Sequence, residues 1–185
     1  MAYVFSSLSH LAAMDPLTGV ANRRQLVLCG EEELARNRRY HGKMSLMMVD
    51  IDRFKSINDR WGHATGDRVI QAVAGAMVEI TREQDVVGRL GGEEFLLILT
   101  ETDGQGALAS AERLRESIQN MEAVTSDDNQ TVRFTISAGV TAYYPGDVTF
   151  AGMLGRADKA LYAAKHAGRN QVVAVWPETR ASNVA

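Results

Sequence analysis

Four carboxylates, in two pairs, open the case for chemistry. Glu93 and Glu94 follow directly on Gly91-Gly92, and two glycines between β-prone runs allow the positive φ and close backbone approach of a sharp hairpin. Acids at such a bare edge suit work on an exposed reacting group, although glycine turns flanked by acids also occur as plain exposed hairpins. The second pair stands in Asp50-Ile51-Asp52, straight after the apolar run Ser45–Val49. Residues two apart on a strand share a face, so Asp50 and Asp52 point alike, and a strand beside the hairpin would let Asp50 and Glu93 converge. Hard oxygen ligands with positions left for water and phosphate are what Mg²⁺ prefers, and paired metals stabilise the entering and leaving oxygens of phosphoryl transfer.

Cations and base-reading groups complete that chemistry. Lys165 and Arg169 lie four apart around the Gly168-Arg169-Asn170 break. Arg binds phosphate oxygens bidentately and Lys acts as a point charge, so with Lys55 they could hold the β and γ groups of a triphosphate. Either cation alone equally suits the C-terminal end of a helix. Asn58 and Asp67 flank a glycine-interrupted turn, Gly62 to Asp67. An acceptor-only Asp matches the donor edge of guanine and Asn can serve its carbonyl, while helix capping and turn chemistry explain the same residues without a ligand.

The elements that must position these groups are legible from periodicity. Val4, Phe5, Leu8 and Leu11 give an amphipathic segment over Tyr3–Ala13, ending before Asp15-Pro16, that reads as the end of a stalk or a dimer contact. A helix runs to about Arg39, its Glu31–Glu33 and Arg36–Arg39 charges forming a solvated face. Ser45–Val49 is a buried strand whose methionines belong to the core. Phe54–Trp61 is a short helix, broken at Gly62–Asp67, before a longer amphipathic helix carrying Val69, Ile70, Val73, Met77 and Ile80 that ends near Thr81. Val86–Leu90, Gly91-Gly92 and Glu93–Thr100 form the hairpin. Leu108 to Met121 mark a further helix, Asp127-Asp128-Asn129 a turn, and Val132 to Val140 one half-buried alternating strand. A last long helix from Phe150 ends at Gly168, before a final strand over Gln171–Trp176. Strands interleaved with helices and joined by hairpins indicate a layered α/β or α+β sheet.

Composition sets bounds on the function. The 185 residues fit one domain, and the net charge of −3 provides no global basic field, so phosphate binding must be local and nucleic acid is not an expected partner. Cys29 is alone, which excludes an internal disulfide, and it reads as a small core residue. The four histidines form no metal-ligand pattern. No run approaches the length of a membrane span and no signal-peptide layout opens the chain, so a cytoplasmic protein is expected.

Several stretches together resemble the GGDEF family of diguanylate cyclases. They are Asp15-Pro-Leu-Thr-Gly-Val-Ala-Asn-Arg23, Asp50-Ile-Asp-Arg-Phe-Lys-Ser-Ile-Asn58-Asp, Gly62-His-Ala-Thr-Gly-Asp67, Arg89-Leu-Gly-Gly-Glu-Glu-Phe95, Thr135-Ile-Ser-Ala-Gly-Val140 and Ala157 to Asn170, in the family's order. The hairpin motif is the Gly-Gly-Glu-Glu-Phe variant. The resemblance implies an α+β fold, a central, mostly antiparallel five-stranded sheet surrounded by helices, similar to class III nucleotidyl cyclases and polymerase palms. It implies a catalytic domain over residues 15–178, a helical stalk or linker at 1–14 and a flexible tail at 179–185.

The implied activity is the condensation of two GTP into cyclic di-GMP and pyrophosphate across a homodimer's two-fold axis. Asp50, the Ile51 carbonyl and Glu93 would bind two Mg²⁺, with Mn²⁺ as a substitute. Glu94, or alternatively a metal-bound oxygen, would help deprotonate the 3′-hydroxyl at a tip formed by Gly91 and Gly92. Phe54, Lys55, Asn58, Asp67, Lys165 and Arg169 would contact GTP. Arg82-Glu-Gln-Asp85 matches the family's Arg-x-x-Asp inhibitory site for the product, with Arg113 as a second arm, and it equally reads as a surface pair ending a helix. The competing function is a catalytically inactive, GGDEF-like module that senses cyclic di-GMP or GTP, and a cyclase acting on ATP or making a mixed dinucleotide is a further alternative.

Overall fold

A computed structural model describes residues 13–125 and 130–177. Most of the expected Tyr3–Ala13 segment, the Asp127–Asn129 turn and the 179–185 tail lie outside these residues. In chain order the elements are β1 (Ala21–Asn22), α1 (Arg23–Tyr40), β2 (Met44–Ile51), α2 (Phe54–Trp61) and α3 (His63–Ile80). The hairpin strands β3 (Val86–Gly91) and β4 (Glu94–Thr100) come next, then α4 (Gly104–Gln119), β5 (Glu122–Val124) and β6 (Thr131–Arg133). β7 (Ile136–Ala142), α5 (Phe150–His166) and β8 (Val172–Ala174) complete the described chain.

The main sheet has the order β1-β3-β4-β2-β7-β8. β2 pairs antiparallel with β4 and β7, the β3–β4 hairpin is antiparallel, and only the edge pairs β1–β3 and β7–β8 are parallel. The α+β, mostly antiparallel expectation is met. The sheet has six strands rather than the expected five, because the two-residue β1 adds to the edge of β3.

All eight residues of β2 are buried, and their alternation feeds two cores. Met47, Val49 and Ile51 pack with Val73, Met77, Leu114 and Ile136 on the face of α2, α3 and α4. Leu46 and Met48 pack with Leu26, Leu34, Phe150 and Leu161 on the face of α1 and α5. Helices on both faces explain why β2 reads as continuously apolar, and why β7, expected to be half-buried, is buried from Ile136 to Thr141. α5 passes so close to β7 that a Cβ on Gly139 would lie 2.2 Å from the Leu161 amide nitrogen and 2.3 Å from the Ala157 carbonyl oxygen. That contact fixes where the C-terminal end of α5 meets the end of β2.

Two local expectations are corrected. The alternating run Val132–Val140 is two strands: β6 pairs with β5 in a separate two-stranded ribbon, and β7 starts only at Ile136. Alternation persists across the break at Phe134-Thr135 because Val132, Phe134 and Ile136 all face the same core. The Gly62–Asp67 stretch is not a turn, since α3 begins at His63 and Gly62 alone, at φ 78°, separates it from α2. Side-chain caps fix three other helix starts: Asn22 accepts from the Gln25 amide, Asp103 from Gly106 and Thr149 from Gly152.

Candidate active site

The C-terminal end of β2 is the meeting point. Asp50 lies opposite Glu94 in β4 and Ser137 in β7. The Ile51 amide donates to the Glu93 carbonyl oxygen at 3.4 Å, which ties the hairpin tip to the strand end. Asp50 and Glu93 therefore converge as their spacing suggested. The Asp50 side chain is only 8% exposed, and its Oδ2 accepts from Lys165 Nζ at 2.7 Å. Burial pushes the Asp50 carboxyl up to about 6, opposed by Lys165 and reinforced by the charges of Glu93 and Glu94.

The hairpin tip is held open and stiff. Gly91 at φ 150° and Gly92 at φ 54° adopt conformations that L side chains rarely reach, and a Cβ on either would meet nothing within 4 Å. The turn residues are Gly92 and Glu93, since Gly91 closes β3 and Glu94 opens β4 after an irregularity at Leu90. Glu93 thus belongs to the turn rather than to the strand that was expected to begin with it. Arg89 clamps this turn: Nε and Nη2 donate to the Gly92 carbonyl at 2.9 and 2.7 Å. Its Nη1 reaches both oxygens of Asp15 at 3.3 Å. Asp15 also accepts from the Thr18 amide and hydroxyl. Burial works against that carboxylate, but the Thr18 bonds and Arg89 outweigh it and hold Asp15 below the usual range.

Asp52 lies on the same side of the sheet as Asp50 but does different work. Its Oδ1 accepts from Ser137 Oγ at 2.6 Å, and its Oδ2 accepts from Thr135 Oγ1 at 2.7 Å and the Asn170 amide at 2.9 Å. With those bonds it is a buttress that pins the loop after α5 to the end of β2. That loop holds Arg169 at φ 67° and Asn170 at φ 45°. Helix α5 stops at His166, so Arg169 is not on the same helical face as Lys165. Arg169 and Lys55 have no ion-pair partner among the described residues, whereas Lys165 is engaged by Asp50.

Helices α2 and α3 bring Asn58 against Gly66, the chain neighbour of Asp67. A Cβ on Gly66 would fall 1.9 Å from Asn58 Oδ1 and 3.1 Å from the Phe54 ring, so glycine makes the room that both side chains use. Asn58 Oδ1 is buried without a hydrogen-bond partner, a costly state unless something binds there. Asp67, the next residue along α3, is exposed beside it. Phe54 is buried in the core and serves as the wall of this notch.

Arg82, Asp85 and Arg113 line one small cavity of about 130 Å³. Asp85 is committed to the backbone, accepting from the Arg82 amide at 2.9 Å and the Thr100 amide at 3.0 Å. The cavity lies at the far end of β3 from Gly91, roughly 17 Å away at 3.3 Å per residue. Arg113 shares this cavity with Arg82.

Oxygen donors at the β2 end fit a hard divalent cation. Asp50 and Glu93 are carboxylates, the Ile51 carbonyl follows Asp50 directly in the chain, and the Asp50 carboxyl is pushed up first by burial and then by the charges of Glu93 and Glu94. Among the described residues no three His, Cys, Asp or Glu side chains gather around one point. Arg89, Asp15 and Gly66 shape the site with no local signal of doing so, and Asp52, singled out with Asp50, carries no local signal of its buttressing role. All four lie within the family-like motifs, but their partners are distant in sequence.

Known proteins share this architecture. The family model for "Diguanylate cyclase, GGDEF domain" matches residues 12–171. Diguanylate cyclase DosC of Escherichia coli (strain K12) is 36% identical over 163 residues, covering 88% of this chain and 35% of that protein. The chain thus spans about a third of the length of such curated relatives. The GGDEF domain of DgcB from Caulobacter crescentus, solved in complex with c-di-GMP, superposes with a TM-score of 0.85 at 33% identity, covering 88% of this chain and 93% of that one. The active GGEEF domain of a diguanylate cyclase from Vibrio cholerae gives 0.79 at 33% identity, covering 86% and 99%.

Proposed function

The chain belongs to the GGDEF family of diguanylate cyclase domains, and on that premise we propose that it condenses two GTP molecules into cyclic di-GMP with release of two pyrophosphates. The observation that carries this reading is the junction of the β2 end with the hairpin tip through the Ile51 amide and the Glu93 carbonyl. That junction draws two carboxylates and a backbone carbonyl together, beside cations suited to a triphosphate.

Asp50, Glu93 and the Ile51 carbonyl would hold two Mg²⁺ ions. Bound there, the metal supplies electrostatic stabilisation of the charge that develops on the phosphoryl oxygens. The chain's own residues do the positioning. Asn58 and Asp67 read the guanine in the notch opened by Gly66, Asp67 accepting from the ring N–H and amino donors and the Asn58 amide NH2 serving the carbonyl. Lys55, Arg169 and the uncapped start of α2 face the phosphates, for Arg53 supplies no side-chain cap and leaves the first amides free. Lys165 exchanges Asp50 for phosphate oxygen.

Each chain presents one GTP, and a second chain related by a two-fold axis presents the other. The 3′-hydroxyl oxygen of one nucleotide forms a bond to the α-phosphorus of its partner as the bond to the bridging oxygen of the β-phosphate breaks. Pyrophosphate leaves with that electron pair, and the exposed Glu94 accepts the hydroxyl proton. Arg82 and Arg113 bind the product remote from this chemistry and restrain it. No helix among the described residues is long and apolar enough to cross a membrane, and we place the reaction in the cytoplasm, where GTP is available. The test is incubation with GTP and Mg²⁺, with products identified by chromatography and mass. Cyclic di-GMP from the wild type and none from Glu93→Ala is expected; consumption of ATP at the same rate would remove the guanine assignment.

A further inference from the structure

Beside the proposed phosphate end of the site lies a trough of about 680 Å³, walled by α2, the Val132–Thr135 segment and the loop after α5. Four guanidinium groups line it: Arg53, Arg60, Arg133 and Arg169. Arg53, the residue just before α2, and Arg60, in its last turn, both line this trough. Neither has a carboxylate partner among the described residues, and Arg133 spends only its Nε, on Glu122 at 2.8 Å. The single carboxylate of the lining, Asp52, is consumed by Thr135, Ser137 and Asn170. Three non-glycine residues of this lining, Arg53, Arg169 and Asn170, have φ of 54°, 67° and 45°, and such strained conformations collect at ligand clamps. Asn170 is fixed further by Arg115 and Gln119 of α4, so the wall is built rather than loose.

The residues also say what kind of anion fits. Arg60 lies over the Trp61 ring, 4.5 Å from its centroid, so that ring face is already covered and offers no platform for a base. Guanidinium forks match phosphate oxygens bidentately. Arg169 is common to the trough and to the phosphate end of the nucleotide site, so the two are continuous.

We propose that this trough is a second anion site that takes inorganic pyrophosphate as it leaves the nucleotide, an inference that rests on the cyclase reading for the source of that anion. Arg169 hands the pyrophosphate on, and Arg53, Arg60 and Arg133 receive it, which separates product departure from the face where the second nucleotide must approach.

Calorimetric titration of inorganic pyrophosphate into the full chain, in chelator, tests the site directly. The double variant Arg60→Ala/Arg133→Ala should bind pyrophosphate about tenfold or more weakly, and Arg60→Lys/Arg133→Lys should recover part of that loss, which excludes simple misfolding. In turnover assays the double variant should keep the wild-type initial rate with GTP and resist inhibition by added pyrophosphate. Unchanged affinity in the double variant, with loss only in Lys165→Ala or Arg169→Ala, would overturn the proposal, as would heat from an oligoglutamate peptide but none from pyrophosphate. If the wild type makes no cyclic di-GMP yet pyrophosphate binding still depends on Arg60 and Arg133, the anion site stands and the cyclase reading alone fails.

Discussion

Lys165 Nζ sits 2.7 Å from Asp50 Oδ2, so the buried carboxylate at the centre of the site carries its own cation before any ligand arrives. Even so, burial keeps the Asp50 carboxyl up at about 6, and Glu93 and Glu94 add to the rise. On the proposed function, a divalent ion or a nucleotide phosphate would compete with this existing pair, and the two exchanges would favour each other: metal on Asp50 would free Lys165, and phosphate on Lys165 would free Asp50.

The pH dependence of stability follows from that carboxyl. Its folded value of about 6 lies above the ordinary 3.8, so between these values the folded state binds more protons than the unfolded one. Stability contributed by the protonated form is present below 3.8 and is lost as pH rises to about 6. In chelator, Asp50→Asn should therefore match the wild type in acid and exceed its melting temperature above pH 6. Thermal melts across that range check it, and a variant less stable than wild type at neutral pH would refute the burial argument.

Glu93→Ala removes a carboxylate from a half-exposed turn, so the fold should be preserved within about 0.5 kcal/mol. Turnover should fall by about a thousandfold or more, the scale of losing a group that acts on transition-state charge. Product chromatography beside a denaturation curve separates the two effects.

Gly66→Ala tests the guanine notch. The added methyl would meet Asn58 Oδ1 at 1.9 Å, and relief of such overpacking costs about 1–3 kcal/mol. Asn58 must move, so KM for GTP should rise about tenfold while the preference over ATP narrows. Steady-state kinetics with both nucleotides read this, and an unchanged GTP-to-ATP ratio would remove Asn58 from base recognition.

Arg82→Ala should raise the final yield of cyclic di-GMP without altering the initial rate, and Arg113→Ala should do so more weakly, because both line the same cavity. Asp85 is the wrong residue to test, since its carboxylate holds the Arg82 and Thr100 amides. Its loss should cost about 1–2 kcal/mol of stability. Progress curves run to completion decide the matter, and identical plateaus would dismiss the site.

Much of this arrangement was legible from local signals. The Gly-Gly hairpin, the apolar run into Asp50 and the helical periodicities each depend on neighbours within a few residues, and each element was found. What escaped depends on tertiary partners. Nothing local distinguishes Asp50, which faces three charged groups, from Asp52, which is bonded to Thr135, Ser137 and Asn170. The break at Phe134-Thr135 is invisible to alternation because both strands feed one core. Gly66 and Gly62 look alike as helix breakers, yet only Gly62 takes a positive φ, while Gly66 is helical and needed for space.

The Asp15–Arg89–Gly92 chain of contacts gives the hairpin a mechanical property. Asp15 lies where the polypeptide joins the sheet edge, and one guanidinium links it to the carbonyl of the turn. Arg89 is braced at both ends and Gly92 has no side chain of its own to anchor it, so one guanidinium ties the position of the hairpin tip to that of the Asp15 loop.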